Sequence, residues 1–421
     1  MTAAGVASPG PRLASWSLFA ALIAAAGLPI YIHAPKFYVD SYGTSLAALG
    51  GVLALLRLVD VVQDPVLGWL AETGRAQRGL WVAVAAVVMA LSMLGLFAVE
   101  PPVAPLLWFA ITLGGLFSAF SFLTICFYAQ GVEKAATLGE GGHLRLAGWR
   151  ETGSLVGVSV AAVAPVALGA VTGNPFAVFA GGFVGLALLA VVAMQGEWGA
   201  KTAPAAMGPA IFAMFRPVLA DPVARRLLLL ALVNAAPVAV TSTLFLFYVE
   251  SRLAAPGAEG PLLLLFFLSA AASVPVWSRV AARIGAKRAL LSGMGLAVAA
   301  FLWATGLGAG DTLAFAVVCA ASGAALGADL TLLPAIFARR LSRIGQGGEG
   351  AAFGLWSFVS KLSLALAAAT LLPLLAVAGF VPGAENTAAA LGALSLLYAA
   401  LPCALKLLAI GLLALTPVPE D

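Results

Sequence analysis

Two aspartates, Asp60 and Asp64, stand one helical turn apart inside an apolar stretch of the sequence. Arg57 precedes them, Gln63 lies between them and Pro65 follows. At about 100° per residue, Arg57, Asp60 and Asp64 share one stripe of a helix, while valines and leucines occupy its other faces. Two carboxylates at this spacing destabilise each other unless a cation lies between them or one holds a proton. The pattern predicts a buried site for Na⁺ or H⁺, with Asp60 and Asp64 as the metal ligands if the ion is Na⁺.

The same residues also fit a structural ion pair, in which Arg57 is the charge partner that neutralises one aspartate. A single pair would favour that structural role, whereas two acids, one base and an amide on one helix favour ion binding. Pro65 adds an acceptor, because it removes the donor that the carbonyl of Val61 would receive in a regular helix.

Other apolar stretches also contain ionisable residues, and a charge at mid-bilayer costs at least ~2.5–3.5 kcal/mol on insertion scales. Arg150 can bind a polar substrate, pair with an aspartate of the second span, or extend to the membrane interface. Lys361 lies near the middle of its stretch, with Ser357 one turn before it. It is interpreted as a counter-cation of the aspartates, or as a charge that a bound cation replaces. The candidate cation-binding residues are therefore Asp60, Gln63, Asp64 and Lys361.

The remaining charges in apolar stretches leave alternatives open. Asp329 can line the same cavity or pair with Arg339 or Arg340. Glu151 is expected to pair with a loop cation or with another helix, and Lys406, closer to a span end, is interpreted as an interfacial lysine. Together with polar and aromatic residues of the fourth and eleventh spans, the candidate substrate-binding residues are Arg150, Tyr128, Thr124, Asp329 and Trp356.

The elements that must position these residues are membrane helices. Hydrophobic residues make up 62% of the 421 residues and charged residues only 10%, far too little charge for the surface of a soluble protein. A helix of about twenty residues crosses the hydrocarbon core. Charge, glycine and proline divide the chain into twelve predicted spans, near 13–34, 44–71, 80–100, 104–131, 146–170, 175–196, 226–250, 261–282, 289–309, 312–338, 352–379 and 387–416.

Most cations between these spans fall on one side, and Lys36 and Arg252 are the exceptions among the loops. The positive-inside rule therefore predicts a multi-pass protein of the cell inner (plasma) membrane with both termini in the cytoplasm. The same asymmetry explains the formal net charge of +4 without a nucleic-acid partner.

An even number of spans with both ends on one side predicts two halves. The longest polar connection divides them into an N-terminal six-helix bundle at 1–196, a cytoplasmic linker at 197–225 and a C-terminal six-helix bundle at 226–421. Residues 209–215 of the linker can form a short surface helix. The basic glycine loops at 68–75 and 281–288 lie half a chain apart, which is typical of a duplicated transporter.

The segments together resemble the glycoside–pentoside–hexuronide:cation symporters, the melibiose-permease-like branch of the major facilitator superfamily. Arg57-x-x-Asp60-x-x-x-Asp64-Pro65-x-x-Gly68 is similar to the second-helix signature of that family. Further similar segments follow in the right order over nearly the whole chain, at 37–43, 273–277, 285–288, 348–350 and 354–361.

The resemblance implies an all-α membrane protein of twelve transmembrane helices in two six-helix bundles around a central cavity. It also implies alternating access and coupling to Na⁺, Li⁺ or H⁺. Asp60 and Asp64 match the cation-site acids of the family, Lys361 matches a lysine near that site, and Arg150 matches an arginine that contacts sugar.

The sequence also departs from the sugar symporters of the family. Their first helix has an aspartate that binds the galactosyl ring, and here its position falls near Ala24. Their fourth helix has another aspartate, where this chain has an acid-free stretch at 124–128. A pocket without such acceptors binds sugar hydroxyls poorly, which argues against a galactoside and leaves a lysophospholipid open. Arg339 and Arg340 stand where relatives often have acids, which argues against a gate pairing there.

The leading hypothesis is a secondary active transporter that couples symport of a small organic solute, such as a sugar or glycoside, to Na⁺ or H⁺. The alternatives are an H⁺-coupled exporter, a carrier of lysolipids or other amphiphiles, a membrane enzyme and a scaffold. The sequence contains no nucleophile with a base, metal set or phosphate loop, so no enzyme is expected. No cofactor is expected beyond the coupling ion, and the expected partners are the lipid bilayer and the solute. The chain is expected to function as a monomer.

Overall fold

The computed structural model describes residues 13–198, 211–344, 348–381 and 385–418, and within them every regular element is helical. The helices that precede the linker are α1 Leu13–Ala25, α2 Leu28–Tyr42, α3 Leu46–Thr73, α4 Arg78–Phe97, α5 Pro105–Ala136, α6 Gly142–Gly169 and α7 Pro175–Met194. The later ones are α8 Ile211–Ala220, α9 Pro222–Phe247, α10 Glu259–Ile284, α11 Ala286–Ala304, α12 Thr312–Ile344, α13 Glu349–Val377, α14 Ala388–Ser395 and α15 Leu401–Leu415. Short π-helical segments, Tyr248–Arg252 and Leu396–Ala400, extend α9 and join α14 to α15.

In the part of the chain that the structure describes, 10 helices are long and apolar enough to cross a membrane. The other two predicted spans correspond to α3, which has 28 residues, and to the pair α1 and α2. Neither is among those 10 helices, so the count of twelve spans stays a prediction. The all-helical membrane fold itself is confirmed. The linker helix α8 covers Ile211–Ala220, whereas the residues predicted to form it begin at 209, outside the described residues.

The first predicted span is broken in the structure. The helix α1 ends at Ala25, and α2 begins at Leu28 and continues to Tyr42, well into the segment expected to be a loop. The break occurs at Gly27 and Pro29, because proline lacks the N–H that would continue the hydrogen bonds of α1. Gly43 then ends α2 with a left-handed φ of 62°, and its N–H donates to the Val39 carbonyl at 3.0 Å.

Helices of each half pack mainly against one another. In the first half α6 packs against α1, and α5 packs against α3 and α4. In the second half α12 packs against α10 and α11, and α9 packs against α13 and α15. The halves meet most extensively where α3 packs against α13 and α6 packs against α10, and α5 also contacts α13 while α12 contacts α5 and α6. This pattern agrees with two bundles, and their exact boundaries stay a prediction.

The end of the bundle where α3 ends and α13 begins, near Arg75, is here called the basic end. The backbones of the two halves approach each other closely there. A Cβ on Gly68 would lie 2.9 Å from the Gly350 carbonyl oxygen, and one on Gly354 would lie 2.9 Å from the Asp64 carbonyl oxygen. Only glycine allows backbones this close. At the opposite end of α3, a Cβ on Gly50 would meet no described atom within 4 Å. The halves are therefore tightly packed at the basic end.

Candidate functional site

Asp64 and Lys361 meet where α3 packs against α13. The Lys361 Nζ donates to Asp64 Oδ1 at 3.0 Å and to the hydroxyl of Ser121, on α5, at 2.6 Å. The hydroxyl of Ser357, one turn earlier on α13, donates to the other carboxylate oxygen of Asp64. Asp64 is fully buried, at 0% exposure. Three helices, two from the first half and one from the second, therefore meet at this carboxylate.

Asp60 lies beside the same ammonium group and is 4% exposed. Its Oδ1 is 3.8 Å from Lys361 Nζ and accepts a hydrogen bond from the amide nitrogen of Gln63 at 2.8 Å. The amide oxygen of Gln63 accepts in turn from the Ser118 hydroxyl of α5 at 2.9 Å. The structure thus brings together all four residues predicted for cation binding. The side chain of Arg57 lies outside the described residues, so its predicted role as charge partner stays a prediction.

The cluster places one ammonium group among oxygens of Asp60, Asp64 and Ser121. Removing one partner of a buried ion pair typically costs about 3–5 kcal/mol, so the two carboxylates need a positive charge at this point. In the described residues no group of three or more acidic, histidine or cysteine side chains could hold a metal ion. A sodium ion here would therefore depend on the two carboxylates and on neutral oxygens, such as the Ser121 hydroxyl.

Arg150 lies in a second polar group, between α6 and α5. Its Nε donates to Glu151 at 2.8 Å, and its guanidinium lies 3.7 Å from the centre of the Tyr128 ring. The Tyr128 hydroxyl also donates to Glu151, at 3.2 Å. The expected pairing of Glu151 with a loop cation is therefore wrong, while its expected contact with another helix is observed. Arg150 pairs with its chain neighbour rather than with an aspartate of α3.

The Arg150 group borders the joint between the halves. The Tyr128 ring packs against Phe353 of α13 at 5.1 Å, and Arg150 Nη2 is buried without a hydrogen-bond partner among the described atoms. A buried N–H of this kind favours a polar ligand or water. The predicted substrate residue Thr124 donates to the Phe120 carbonyl of its own helix at 2.7 Å.

Trp356 is half-buried on α13, and its ring lies 4.8 Å from Phe337 of α12. Trp356, which is also a predicted substrate residue, therefore packs within the second half. The contact of Trp356 with a solute stays a prediction.

Asp329 forms a third polar group, away from Asp60 and Asp64. It pairs with Lys406 of α15, and Lys406 Nζ also donates to the Asn234 side chain of α9 at 2.8 Å. The expectation of an interfacial Lys406 is wrong, because α15 packs this face against α9 and leaves Lys406 only 3% exposed. Arg340, one of the partners proposed for Asp329, instead binds Asp221 at the start of α9.

A charged network closes the joint at the basic end. Arg75 binds Glu133 of α5 at 2.5 Å, and it contacts Glu72 and Glu349 at 3.3 Å each. The Gly350 N–H donates to Glu72 at 3.2 Å. Because Glu349 belongs to α13, Arg75 links the two halves directly. This ion pair across the halves lies at the end of α3, whereas Arg340 pairs with Asp221 inside the second half.

Sequence reasoning missed several of these residues. Ser118 and Ser121 lie one turn apart on α5, and this spacing in an apolar span is a signal that could have indicated a polar face. Glu72, Glu133 and Glu349 lie near span ends, where charges are ordinary, so no local signal marked them as partners of Arg75. Asn234 is a single amide in an apolar stretch, which by itself indicates little.

Comparison with known proteins gives the family and the fold. The family model described as MFS/sugar transport protein matches residues 15–420. No curated protein matches the chain in sequence. A bacterial homologue of the iron transporter ferroportin, crystallised in an outward-facing state, is similar with a TM-score of 0.70 and 14% identity, over 96% of this chain and 98% of that chain. The human organic anion transporter MFSD10 is similar with a TM-score of 0.68 and 16% identity, over 96% of this chain and 100% of that chain.

At these identities the two solved structures show the fold alone, that of major facilitator transporters. The family match covers nearly the whole chain and agrees with the resemblance carried by the second-span signature. The chain is a multi-pass membrane transporter, and it belongs to the MFS/sugar transport protein family, the melibiose-permease-like family.

Proposed function

We propose that the protein is a cation-coupled symporter that moves a small organic solute by alternating access. The observation that carries the proposal is the cluster of the buried Asp60 and Asp64 with the half-buried Lys361 at the joint between the two halves. Because Lys361 of α13 is held by these carboxylates of α3, a change in the charge of the carboxylates changes how strongly the two helices are held together. The membrane-transporter family supports the general function, and the coupling is the proposed part.

The coupling step follows from the charge balance of the cluster. Lys361 supplies the positive charge that Asp64 needs, and in doing so it ties α13 to α3. A cation or proton that neutralises Asp60 or Asp64 takes over this role and releases Lys361. The tie across the joint is then weakened, and the halves can exchange between two arrangements whose populations the ion controls.

Na⁺ and H⁺ place different demands on the cluster. A proton needs only one carboxylate. When a proton binds Asp64, the hydrogen bonds that Ser357 and Lys361 donate to this carboxylate must rearrange. A sodium ion needs several oxygens, which Asp60, Asp64, Gln63 and Ser121 can supply once Lys361 withdraws. Both ions stay within the proposal, and no further cofactor is included in it.

The proposed solute site is the Arg150 group together with the neighbouring joint. Arg150 presents a buried N–H without a protein partner, and the Tyr128 ring reaches α13. Hydroxyl or carboxylate oxygens of a small solute fit this donor. The family description favours a sugar or glycoside, and the guanidinium adds organic acids as a second class to test.

The orientation in the membrane is also a proposal. The positive-inside rule assigns the basic end, with both termini, to the cytoplasm of a cell whose inner (plasma) membrane holds the protein. With the basic end closed by Arg75 and Glu349, the structure then corresponds to a state closed to the cytoplasm. The chain contributes every residue of the proposed site, so a monomer in the lipid bilayer is the proposed functional unit.

Reconstitution of the full chain into proteoliposomes tests the proposal. Uptake of radiolabelled sugars, glycosides, organic acids and lysolipids is measured with an imposed Na⁺ gradient, an imposed pH gradient, or neither. We expect at least one solute to accumulate only with a gradient, and Asp60→Asn or Asp64→Asn to abolish accumulation while retaining solute exchange. Glu100→Gln is the matched control, because Glu100 is exposed. Gradient-driven accumulation that survives loss of both aspartates would refute the proposal, and outward transport under the same gradients would favour the exporter.

A further inference from the structure

A buried charge pair lies inside the second half, apart from the proposed coupling cluster. Asp329 of α12 is 7% exposed, Lys406 of α15 is 3% exposed, and Asn234 of α9 is 5% exposed. Lys406 binds the Asp329 Oδ2 atom and the Asn234 amide oxygen. All three side chains thus sit in the protein interior, where unpaired charges are costly.

The pairing is incomplete on the acid side. Asp329 Oδ1 is buried and accepts no hydrogen bond from any described atom. A buried acceptor left without a donor loses the hydrogen bonds that water would give it and is therefore costly. Such an atom is the natural place for a proton or for the hydrogen of a water molecule.

A cavity adjoins this carboxylate. Asp329, Lys406 and Cys403 line it together with Thr241 and Ser322, and its volume is about 30 Å³. Roughly 10–15 Å³ is enough to hold a water molecule, whereas an organic solute needs a pocket of about 300 Å³ or more. The cavity therefore suits water that delivers a proton and excludes a solute.

The electrostatic surroundings limit which groups can exchange that proton. Among the lining residues, Lys406 and Cys403 are the only other titratable side chains, and both belong to α15. The lining residues that α9, α10 and α11 contribute are neutral at any pH, Thr241 among them. Lys406 is thus the one charged group facing Asp329 from the cavity wall.

A purely structural role explains these facts less well. Replacing a buried ion pair with apolar residues is often neutral or stabilising, so stability alone gives little reason for an aspartate and a lysine here. Ionisable residues within membrane spans more often belong to ion or proton pathways. We propose that Asp329 is a second proton-binding site of this protein, with Lys406 as its counter-cation and the adjoining cavity as its path to water.

Uptake of the proton neutralises Asp329 without breaking a covalent bond. The carboxylate becomes a carboxylic acid; the proton comes from hydronium in bulk solvent, and the water in the cavity relays it without a net loss of protons. Lys406 then loses its charged partner and keeps the hydrogen bond to Asn234. Because these helices belong to one half, the change alters packing within that half and leaves the Asp64–Lys361 joint intact.

Infrared titration of the full chain in lipid nanodiscs tests this proposal and requires no solute. The protonated-carboxyl band is followed from about pH 4 to about pH 9, which spans the range of perturbed carboxyl groups. We expect one component of this band in the wild type to be lost in Asp329→Asn and in Asp329→Asn/Lys406→Met, while the components from the other carboxyl groups remain. The double variant guards against misfolding, because it leaves no unpaired charge. Glu100→Gln is the matched control, because Glu100 is exposed, and it is expected to keep the Asp329 component.

The single variant Lys406→Met sharpens the assignment. An ammonium partner favours the ionised carboxylate, so its removal is expected to strengthen the Asp329 component of the band at neutral pH. A double variant at Asp329 and Lys406 whose band is the same as that of the wild type would overturn the proposal, as would loss of the component in the Glu100 control. An Asp329 component that is equally strong in Lys406→Met and in the wild type would overturn the pairing. These outcomes are independent of whether any solute is transported.

Discussion

Two buried aspartate–lysine pairs, Asp64–Lys361 and Asp329–Lys406, have the same chemistry and different positions. The first joins α3 to α13 across the two halves, with Ser121 of α5 as an additional partner. The second joins α12 to α15 within one half. When the halves separate, the first pair must break and the second can stay formed. In the proposed mechanism, position relative to the joint between the halves, rather than burial, distinguishes the coupling pair from a pair that affects only its own bundle.

Lysine removal should show this difference with the largest effect. Breaking a buried pair typically costs about 3–5 kcal/mol, and Lys406→Met should cost an amount of this order, because Asp329 stays inside one half with only the small adjoining cavity for hydration. Lys361→Met should cost less, since α3 and α13 can part and expose Asp64 to water. Scanning fluorimetry of both purified variants measures the loss. Equal destabilisation, or a larger loss for Lys361→Met, would contradict the comparison.

Neutralising both partners should restore stability at both sites and function at only one. Asp329→Asn/Lys406→Met and Asp64→Asn/Lys361→Met should each recover about 0.5–3 kcal/mol relative to the sum of their single variants. Solute accumulation should be lost only in the Asp64 double variant, because that pair carries the coupling. Double-mutant cycles of melting temperature, together with proteoliposome uptake, provide the measurements. Retained accumulation in the Asp64 double variant would remove the distinction.

A smaller perturbation acts on the joint without touching a charge. Gly354→Ala places a methyl group where the Asp64 carbonyl oxygen is 2.9 Å away, so α3 and α13 must move apart. Overpacking of this kind costs about 1–3 kcal/mol and should speed amide hydrogen exchange over residues 64–75. Gly392→Ala is the control, because a Cβ there meets no described atom within 4 Å. Similar exchange in both variants would show that the joint tolerates the methyl group.

The smallest effect is expected at Asp221, whose pair with Arg340 lies at the surface of the second half. The hydrogen bond from Arg340 lowers the pKa of Asp221 below its usual value. A lowered pKa stabilises the fold above the unfolded value of about 3.9, and the stabilisation is lost as pH falls through the folded value. Asp221→Asn keeps the helix cap at Ala224 and should cost about 0.2–1 kcal/mol at neutral pH. Melting temperatures of variant and wild type should converge in acid; a constant difference would contradict the linkage.

The local features of the fold could be predicted with few errors because they depend on residues close in sequence. The lengths of the apolar stretches predicted the helices, and α7 and α12 begin at the predicted residues 175 and 312. The first span was predicted as one helix, because the residues around Pro29 are apolar. In the structure the helix breaks next to this proline. Helical periodicity also put Asp60 and Asp64 on one face, as the structure shows.

Partners across helices could not be predicted in the same way. Lys361 lies 297 residues from Asp64 and 240 from Ser121, and Lys406 lies 77 residues from Asp329. Periodicity tells which face of a helix is polar and gives no information on which helix that face meets. For this reason the sequence left Asp329 open between the cavity wall and a pair with Arg339 or Arg340, and it predicted an interfacial Lys406.

Composition and spacing were enough to determine a helical membrane protein with acids buried on its second span, because hydrophobic length and helical period act within one segment. The arrangement of α3, α5 and α13 decided that Lys361 and Ser121 face those acids. The packing of α15 on α9 decided that a second pair forms inside one half. These contacts depend on the free energy of packing between distant segments, and no local pattern in the chain contains that information.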